Sequence, residues 1–403
     1  MKKNYKITPE GTRDYLFEEC TAHRGTQHLL EEVFVARGFR QVVTPGLEFY
    51  DVFDPEWCGI STETMYKLTD RRGRLLVLRP DSTLPIARLT ATRLQGQEKP
   101  LRLFYTQQVY RSNPGLMGRA DEILQSGIEL LGIGGKRADL EALVTAIQSI
   151  STCVSDFRLE LGHAGLFRGL VEKLDLPEEL REDIRGYIEM KNYPALDAVL
   201  EELGDSKEVN ALRQLPRLFG GEEVFQKAQE LGLQESAGDS LQYLQELYHA
   251  LSELNLSDRI IVDLGLVQRI DYYTGIVFSA YLSQAGDAVL SGGRYDHLLE
   301  RYGVPMPAIG FAVNVDALTR AMTEQGCTMV AEQQRMLVHG DEGFEIKALN
   351  YASRLTQRGI ACEFSVFDTR QQAIEYAQRV GITQVDFVAD ETESMQLEQG
   401  VGQ

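Results

Sequence analysis

The sequence predicts an α+β protein in which an antiparallel sheet core carries a helical insertion and is followed by a small C-terminal α/β unit. Within residues 101–132, two apolar stretches flank a loop that contains Asn-Pro-Gly, which is typical of two paired strands. Residues 164–256 repeat apolar side chains with helical spacing. From Arg335 onward, short strands alternate with helices, and this alternation indicates a separate α/β unit.

The composition is that of a globular protein in water. The 403 residues are 43% hydrophobic and 25% charged, with a formal net charge of −19, and this length favours two or three domains. The acidic balance does not signal a nucleic-acid partner. No apolar run approaches the ~18 residues of a membrane span, and the first residues lack the apolar stretch of a signal peptide. We therefore expect a cytoplasmic protein without membrane partners.

The cysteines give no sign of a metal site or of a disulfide framework. They are scattered along the chain, without a CxxC pair or zinc-type spacing, so free thiols in a reducing compartment are expected. A Gly-rich phosphate loop of the Walker type is also absent from the sequence. The sequence thus predicts neither a metal nor a cofactor.

The N-terminal part predicts a helix, a strand and a small hairpin. Apolar residues with helical spacing extend over His23–Ala36, and residues 39–44 are expected to form a strand. Residues 66–68 and 75–78 are expected to pair around the turn at 71–73.

Polar side chains occupy defined positions in the strand–loop–strand segment 101–132. Arg111 and Arg119 flank its loop, and arginine binds phosphate or carboxylate through parallel hydrogen bonds. Gln125 and Glu129 lie four residues apart on the second strand, so they share one face. Two interpretations fit this spacing: an anion-binding hairpin, or a hairpin with two surface arginines.

The remaining elements follow from the same patterns. Residues 137–150 predict a helix and 157–161 a strand, strands return within 259–281, and 307–318 predict a strand that leads into a helix. The C-terminal unit is expected to contain strands at 336–338, 361–366 and 385–388 and helices at 345–357 and 370–379. The polar stretch 391–403 is expected to be disordered.

Several segments resemble one known family. VYRSNPGLMGRADEILQSGIELLG resembles the second signature motif of class II aminoacyl-tRNA synthetases, in the form that histidyl-tRNA synthetases use. Its matching positions are Arg111, Gly118, Arg119, Gln125 and Glu129. GFRQVVTPGLEFYDVF is similar to the first class II motif and residues 307–318 to the third. DYYTGIVF and GGRYD resemble segments of the histidyl enzymes, so the resemblance implies a class II synthetase-like core.

The resemblance also implies how the chain is divided. It places the synthetase-like core at residues 1–162 and 257–325, with the helical insertion at 163–256 between these parts. Residues 333–403 resemble a truncated anticodon-binding domain with a polar tail. Because the first motif builds the dimer interface in that family, self-association as a dimer is expected.

The resemblance implies a histidine-binding site without catalytic residues. In the family, the Glu and Thr of an Arg-Pro-Glu-Gly-Thr segment hold the amino group of histidine, and Asp81 and Thr83 occupy those positions here. In the family, the second Tyr of the DYYTG signature contacts the imidazole, and the resemblance gives this role to Tyr273, together with Glu129. A carboxylate and a phenol suit this role because each ring nitrogen needs a partner once it is desolvated. The complete implied set is Asp81, Thr83, Arg111, Gln125, Glu129, Tyr272 and Tyr273.

Two of the segments also have a local interpretation. Asp81 and Ser82 precede a predicted helix and are suitable residues to cap it, which is compatible with ligand binding. Gly292 and Gly293 of GGRYD are expected to let the backbone approach a ligand closely.

The chain departs from the family pattern at the ATP site. Ala317 replaces the ATP-holding Arg of the third motif, and Gln268 replaces an Arg three residues before the Asp of DYYTG. In the hairpin, Asn113 replaces an acidic residue, Ile123 replaces the aromatic residue that stacks on adenine, and Asp121 replaces an arginine. Losing two arginines from a phosphoryl-type site costs several kcal/mol of transition-state stabilisation.

A chain that keeps the amino-acid site and loses the ATP site is similar to the regulatory subunits of ATP phosphoribosyltransferase, a family related to the histidyl enzymes. In that family the regulatory chain performs no chemistry and assembles with a short-form catalytic subunit into a hetero-octamer. It activates that subunit in the first step of histidine biosynthesis and is needed for feedback inhibition by histidine. The resemblance implies the same partner and the same effector here.

Three other interpretations remain. An active histidyl-tRNA synthetase is disfavoured by Ala317 and Gln268. A non-catalytic synthetase-like binding module with another partner, such as a translational regulator, would need a basic surface for nucleic acid, which the net charge does not suggest. A phosphoribosyltransferase usually has a strand that ends in paired acids and a Thr-Gly phosphate loop. The segment VDFVADETES resembles this pattern only weakly.

Overall fold

The computed structural model describes residues 6–54, 58–113, 120–267, 272–282, 288–327 and 335–397. The chain divides into two compact units, Met1–Met329 and Val330–Gln403. The finer domain limits implied for the first unit remain predictions. None of the described helices is long and apolar enough to cross a membrane.

The first unit contains both helices and strands. Its α-helices are α1 (Phe17–Ala36), α2 (Thr83–Arg93), α3 (Lys136–Cys153), α4 (Ala164–Lys173), α5 (Glu178–Glu189), α6 (Tyr193–Glu202), α7 (Lys207–Gln214), α8 (Glu223–Glu230), α9 (Gln234–Glu253) and α10 (Val315–Glu324). Its strands are β1 (Arg40–Gln41), β2 (Leu47–Phe49), β3 (Lys67–Thr69), β4 (Leu75–Leu78), β5 (Leu101–Tyr110), β6 (Glu122–Leu131), β7 (Phe157–His163), β8 (Phe219–Gly220), β9 (Ile260–Asp263), β10 (Ile276–Leu282), β11 (Leu290–Arg294) and β12 (Ala308–Asn314).

Nine of the described strands form the central sheet, in the order β1-β5-β6-β12-β11-β10-β7-β9-β8. Neighbouring strands are antiparallel except for β1 with β5 and β7 with β9. The predicted pairing across residues 101–132 is confirmed, since β5 and β6 pair from Leu101 opposite Leu131 to Tyr110 opposite Glu122. A mainly antiparallel sheet combined with a helical block confirms the α+β prediction.

The two faces of this sheet have different surroundings because side chains alternate along each strand. On β6, Ile128 and Leu130 belong to a large apolar core that includes residues of α1, α3 and α10. The apolar residues of α4 to α9 join the same core. Glu129 lies between Ile128 and Leu130 in the strand and therefore points to the opposite face, where a second cluster contains Leu103 and Tyr105.

The helix and strands predicted in the N-terminal part are present, but their first and last residues differ from the prediction. Helix α1 begins at Phe17 rather than His23, and two glutamates in its first turn favour this earlier start. Of residues 39–44, only Arg40 and Gln41 form a strand. Further along, the backbone N–H of Thr44 donates to the Gln107 side chain at 3.2 Å, so the extended pairing stops. Strands β3 and β4 pair as predicted and form a small sheet with β2.

The second unit is a small α/β unit, as predicted. It contains β13 (Met336–Gly340), α11 (Glu345–Gln357), β14 (Cys362–Phe364), α12 (Arg370–Arg379), β15 (Gln384–Val388) and β16 (Thr392–Gln396). The strand order is β14-β13-β15-β16. Helix α11 packs with Met336 and Val338, whereas α12 packs with Leu337, so the helices cover opposite faces of the sheet.

The predicted disorder of the tail is wrong for residues 391–397. Strand β16 pairs with β15 along its whole length although all five of its residues are exposed. Ser394 Oγ also donates to the buried carboxylate of Asp386 at 2.6 Å. Polar composition suggested disorder, but a ladder of backbone hydrogen bonds does not require apolar side chains. Residues 398–403 lie outside the described residues.

Candidate functional site

A cavity of about 450 Å³ lies on the face of the central sheet that carries Glu129. Most of the predicted site residues line it, namely Asp81, Thr83, Arg111, Gln125, Tyr272 and Tyr273. Glu129 lies directly behind this lining and bonds to two of the lining residues, Thr83 and Tyr295. The folded chain therefore brings all seven predicted residues together, although they come from four separate segments of the sequence.

Glu129 is the buried acid of the site. Its residue is 1% exposed, and its two carboxylate oxygens accept hydrogen bonds from Thr83 Oγ1 at 2.8 Å and from the Tyr295 hydroxyl. Burial raises the pKa of Glu129 to about 8, against the opposing effect of these two donors. Gly310 lies opposite Glu129 on β12, and a Cβ atom there would come within 1.8 Å of Glu129 Oε2. The acid therefore fits only because this position is glycine.

Asp81 caps helix α2, as its sequence context suggested, and its role in binding a ligand stays a prediction. Its Oδ1 accepts the backbone N–H of Leu84 at 3.0 Å and so caps α2, while its Oδ2 lies 3.9 Å from Arg111 Nη2. Burial raises the pKa of Asp81, and the Arg111 charge opposes that shift. Arg111 is itself fixed, because its Nε donates to the carbonyl of Pro80 at 2.7 Å. Ser82, by contrast, makes no capping hydrogen bond.

Gln125 supplies an acceptor that has no partner within the described part of the chain. Its Oε1 is buried and unbonded, and the side chain lines the cavity. A buried acceptor without a hydrogen bond costs about 1–3 kcal/mol, and such exceptions in folded proteins call for an explanation. An N–H donor from a ligand in the cavity would satisfy this oxygen.

The tyrosines of DYYTG form one wall of the cavity. The rings of Tyr272 and Tyr273 lie edge to face with centroids 5.2 Å apart, and Tyr295 lies 5.7 Å from Tyr272. A Cβ atom at Gly293 would come within 2.6 Å of the Tyr273 ring, and one at Gly292 within 2.7 Å of Phe278. The expectation that these glycines allow a ligand to approach is therefore corrected: they make room for aromatic rings of this chain.

Two tyrosines of the site were not predicted from the sequence. Tyr295 donates to Glu129, and Tyr105 hydrogen-bonds with Thr83; both are fully buried. Tyr295 lies in the GGRYD segment, which was recognised only as a motif. Strand alternation could have found Tyr105, because Leu103 lies opposite Glu129 and Tyr105 follows two residues later on the same face.

A buried ion pair holds the backbone of the tyrosine wall. Arg294 is 6% exposed and Asp139 is fully buried, and Arg294 Nε donates to Asp139 Oδ1 at 2.8 Å. The carbonyl of Arg294 accepts the N–H of Thr274 at 2.7 Å, and the N–H of Asp296 donates to Thr274 Oγ1 at 3.0 Å. This ion pair therefore positions the turn that carries Tyr272 and Tyr273.

The described positions that depart from the ATP-site pattern carry no positive charge, and two of them, Asn113 and Asp121, contact each other. Ala317 lies in the first turn of α10, where its N–H donates to Asn314 Oδ1 at 3.0 Å. Asp121 accepts hydrogen bonds from the Tyr66 hydroxyl and from the N–H of Asn113. Ile123 lines the cavity. Gly118, Arg119 and Gln268 lie outside the described residues.

The raised pKa of Glu129 predicts a pH dependence of stability. Its pKa rises from an ordinary value of 4.5 to about 8, so between these values the folded state keeps a proton that the unfolded chain has released. Stability therefore falls as the pH rises through this interval. Glu129→Gln is expected to remove this part of the decline when urea unfolding is measured from about pH 5 to about pH 8.

Asp263 offers a matched control for that experiment. Burial raises the pKa of Asp263 to about 6. Asp263→Asn should therefore reduce the pH dependence of the unfolding free energy only below about pH 6, and not between about pH 6 and about pH 8. The same pH profile in Glu129→Gln and in the wild-type protein would contradict the prediction.

Comparisons with known proteins agree with this geometry. The sequence matches the family model described as histidyl-tRNA synthetase over residues 11–318. A relative from Clostridium botulinum, named ATP phosphoribosyltransferase regulatory subunit, is 38% identical over 396 residues, which cover 97% of this chain and 93% of the relative. A relative of the same name from Clostridium kluyveri is 40% identical over 376 residues, which cover 92% of this chain and 96% of the relative.

A solved structure has the same fold over nearly the whole chain. The crystal structure of an ATP phosphoribosyltransferase regulatory subunit/histidyl-tRNA synthetase from Bacillus halodurans matches with a TM-score of 0.81 and 30% identity, covering 93% of this chain and 97% of that chain. Fold and sequence together define a protein of the class II, histidyl-tRNA synthetase-like type. The chain belongs to the family of ATP phosphoribosyltransferase regulatory subunits, which function in histidine biosynthesis.

Proposed function

We propose that this chain is a non-catalytic subunit that binds histidine, activates the short-form catalytic subunit of ATP phosphoribosyltransferase and mediates its feedback inhibition by histidine. The observation that carries the proposal is the cavity in which Gln125 presents a buried acceptor that has no partner among the described residues, next to the buried acid Glu129. Both are groups that a bound ligand with several N–H donors would satisfy.

Histidine has the groups that this cavity needs. Its ammonium can donate to Asp81 Oδ2, which lies 3.9 Å from Arg111 Nη2. It can also donate to Gln125 Oε1, which has no hydrogen-bond partner among the described residues. Its carboxylate can pair with Arg111, which a backbone carbonyl holds in place. The imidazole can then meet Glu129 and Tyr273, so each ring nitrogen has a partner.

The lack of a catalytic role is supported by the residues at the former ATP site. The methyl side chain of Ala317 cannot bind a phosphate. The Asp121 carboxylate accepts hydrogen bonds from the Tyr66 hydroxyl and from the Asn113 N–H. Phosphoryl chemistry depends on positive charge at the reacting group, and these described positions present none. We therefore assign no catalytic residue.

The proposed assembly is a dimer of this chain within a hetero-octamer that includes the catalytic subunit, in the cytoplasm. The small sheet β2-β4-β3 supports self-association, because it exposes apolar side chains that a second copy could cover. They are Leu47, Phe49, Leu68 and Leu75, each more than 40% exposed.

Regulation by histidine requires that histidine binding in the pocket be coupled to the assembly state of the complex. A ligand on one chain inhibits a site on another only if it binds two assembly states with different affinity. A difference of about 1.4 kcal/mol corresponds to a tenfold shift, so a modest change at the tyrosine wall would suffice.

Reconstitution tests the function. Condensation of ATP with phosphoribosyl pyrophosphate by a short-form catalytic subunit is expected to rise when this chain is added and to fall when histidine follows. Sedimentation of the mixture measures the assembly in the same samples. If the chain neither activates the cognate catalytic subunit nor sediments with it, the proposal is wrong and a binding module with another partner is favoured. Histidine-dependent ATP–pyrophosphate exchange by this chain alone would instead indicate an active synthetase.

A further inference from the structure

A second cavity, of about 570 Å³, lies between α4, α5 and the residues Leu266, Val267, Tyr273 and Val277. Leu266, Val267 and Tyr273 line both this cavity and the first one, so the two cavities are adjacent. Its volume is within the range of ordinary small-molecule sites. The proposed function does not use this second cavity.

One part of the surface of the second cavity is apolar. Phe167 and Val171 of α4 and Val277 of β10 are buried side chains that line it, and Leu266 and Val267 extend this surface. Such a surface accommodates a hydrocarbon or aromatic group, because that group leaves water on binding.

Two arginines reach the cavity with their orientation fixed. Arg168 Nη2 donates to the carbonyl of Tyr273 at 3.1 Å, and Arg181 Nε donates to the carbonyl of Leu176 at 2.7 Å. Neither guanidinium forms an ion pair with any described carboxylate, whereas the neighbouring Arg185 is paired with Glu182. A guanidinium has five N–H donors, so each of these two keeps donors for a ligand carboxylate.

Two carboxylates balance these charges. Glu172 of α4 and Glu178 of α5 also line the cavity, at exposed positions. Acidic groups at the rim disfavour a polyanion such as pyrophosphate through like-charge repulsion. Groups of both signs beside an apolar surface suit a ligand that carries an ammonium, a carboxylate and an apolar side chain.

We propose that the second cavity binds a zwitterionic amino acid with an apolar side chain. Arg168 and Arg181 hold its carboxylate, Glu172 and Glu178 hold its ammonium, and its side chain lies on the surface formed by Phe167 and its neighbours. This site differs from the first cavity, where Glu129 and Gln125 offer polar acceptors to the ligand side chain and ammonium. The inference does not rest on the function proposed above.

Calorimetric titration of the full chain with L-phenylalanine tests the proposal. Saturable binding with one site per chain is expected, and Arg181→Met is expected to weaken it about tenfold or more while the affinity for histidine stays the same. Arg168→Met is expected to weaken both ligands, because Arg168 also holds the Tyr273 carbonyl. Lys227→Met removes an exposed positive charge from α8 of the same helical block and is expected to change neither.

Two analogues test the zwitterion directly. 3-Phenylpropionate lacks the ammonium and phenethylamine lacks the carboxylate, so each is expected to bind more weakly than L-phenylalanine. The proposal is overturned if L-phenylalanine does not bind saturably or if Arg181→Met leaves its affinity unchanged. It is also overturned if excess histidine displaces L-phenylalanine completely and competitively, since competition places both ligands in the first cavity. None of these failures affects activation of the catalytic subunit, which is measured separately.

Discussion

Glu129→Gln is expected to lower the affinity of this chain for histidine by about 10- to 100-fold. The substitution keeps the volume of the side chain but replaces one carboxyl oxygen by an NH2 group, which cannot accept a hydrogen bond from an imidazole N–H. Calorimetric titration with histidine measures the change directly. In the reconstituted complex, half-maximal inhibition is expected to need correspondingly more histidine, while assembly with the catalytic subunit is retained.

The same cavity offers a matched control. Glu160 also lines it, on β7, and the strand order places β7 four positions from β6, which is roughly 19 Å at ordinary strand spacing. Glu160→Gln is therefore expected to leave histidine binding unchanged. Tyr273→Phe, which removes only a hydroxyl, is expected to weaken binding less than Glu129→Gln. Unchanged histidine affinity in Glu129→Gln would mean that the pocket is assigned wrongly.

Local sequence patterns were sufficient for the strands around the site. Alternation along residues 122–131 showed that Gln125 and Glu129 share a face, and pairing with residues 101–110 followed from the loop between them. Motif resemblance then brought in Asp81, Thr83 and the tyrosine pair from elsewhere in the chain. Each of these inferences depends on a short segment or on a recognised motif. The structure places these residues around one cavity, and their role in binding histidine stays a prediction.

The supporting contacts could not be predicted because they depend on the register between strands that are far apart in sequence. Gly310 lies opposite Glu129, and Gly293 lies opposite Gly310. These two glycines, aligned on neighbouring strands, leave space for the Glu129 carboxyl group and for the Tyr273 ring. Nothing within GGRYD alone shows that Tyr295 reaches Glu129. Strand β16 was missed for a related reason, since its position is fixed by backbone pairing with β15.

Arg294→Met is expected to lower the free energy of unfolding by about 3–5 kcal/mol, because it leaves Asp139 charged and unpaired in the interior. Asp139 is fully buried, and the Tyr243 hydroxyl at 2.6 Å would be its remaining side-chain donor. Urea unfolding measures the loss. Since the same ion pair holds the turn at Thr274, histidine affinity is expected to fall in the variant even at temperatures where it stays folded.

A double variant separates the buried charge from the packing around it. Asp139→Leu combined with Arg294→Met removes both charges and is expected to recover most of the lost stability, because apolar residues often replace a buried ion pair at little cost. Arg102→Met breaks a partly exposed pair with Glu141 and is expected to cost no more than about 1 kcal/mol. If the double variant were no more stable than Arg294→Met, the lost stability would come from packing of the arginine stem, and the ion pair would not be what positions the tyrosine wall.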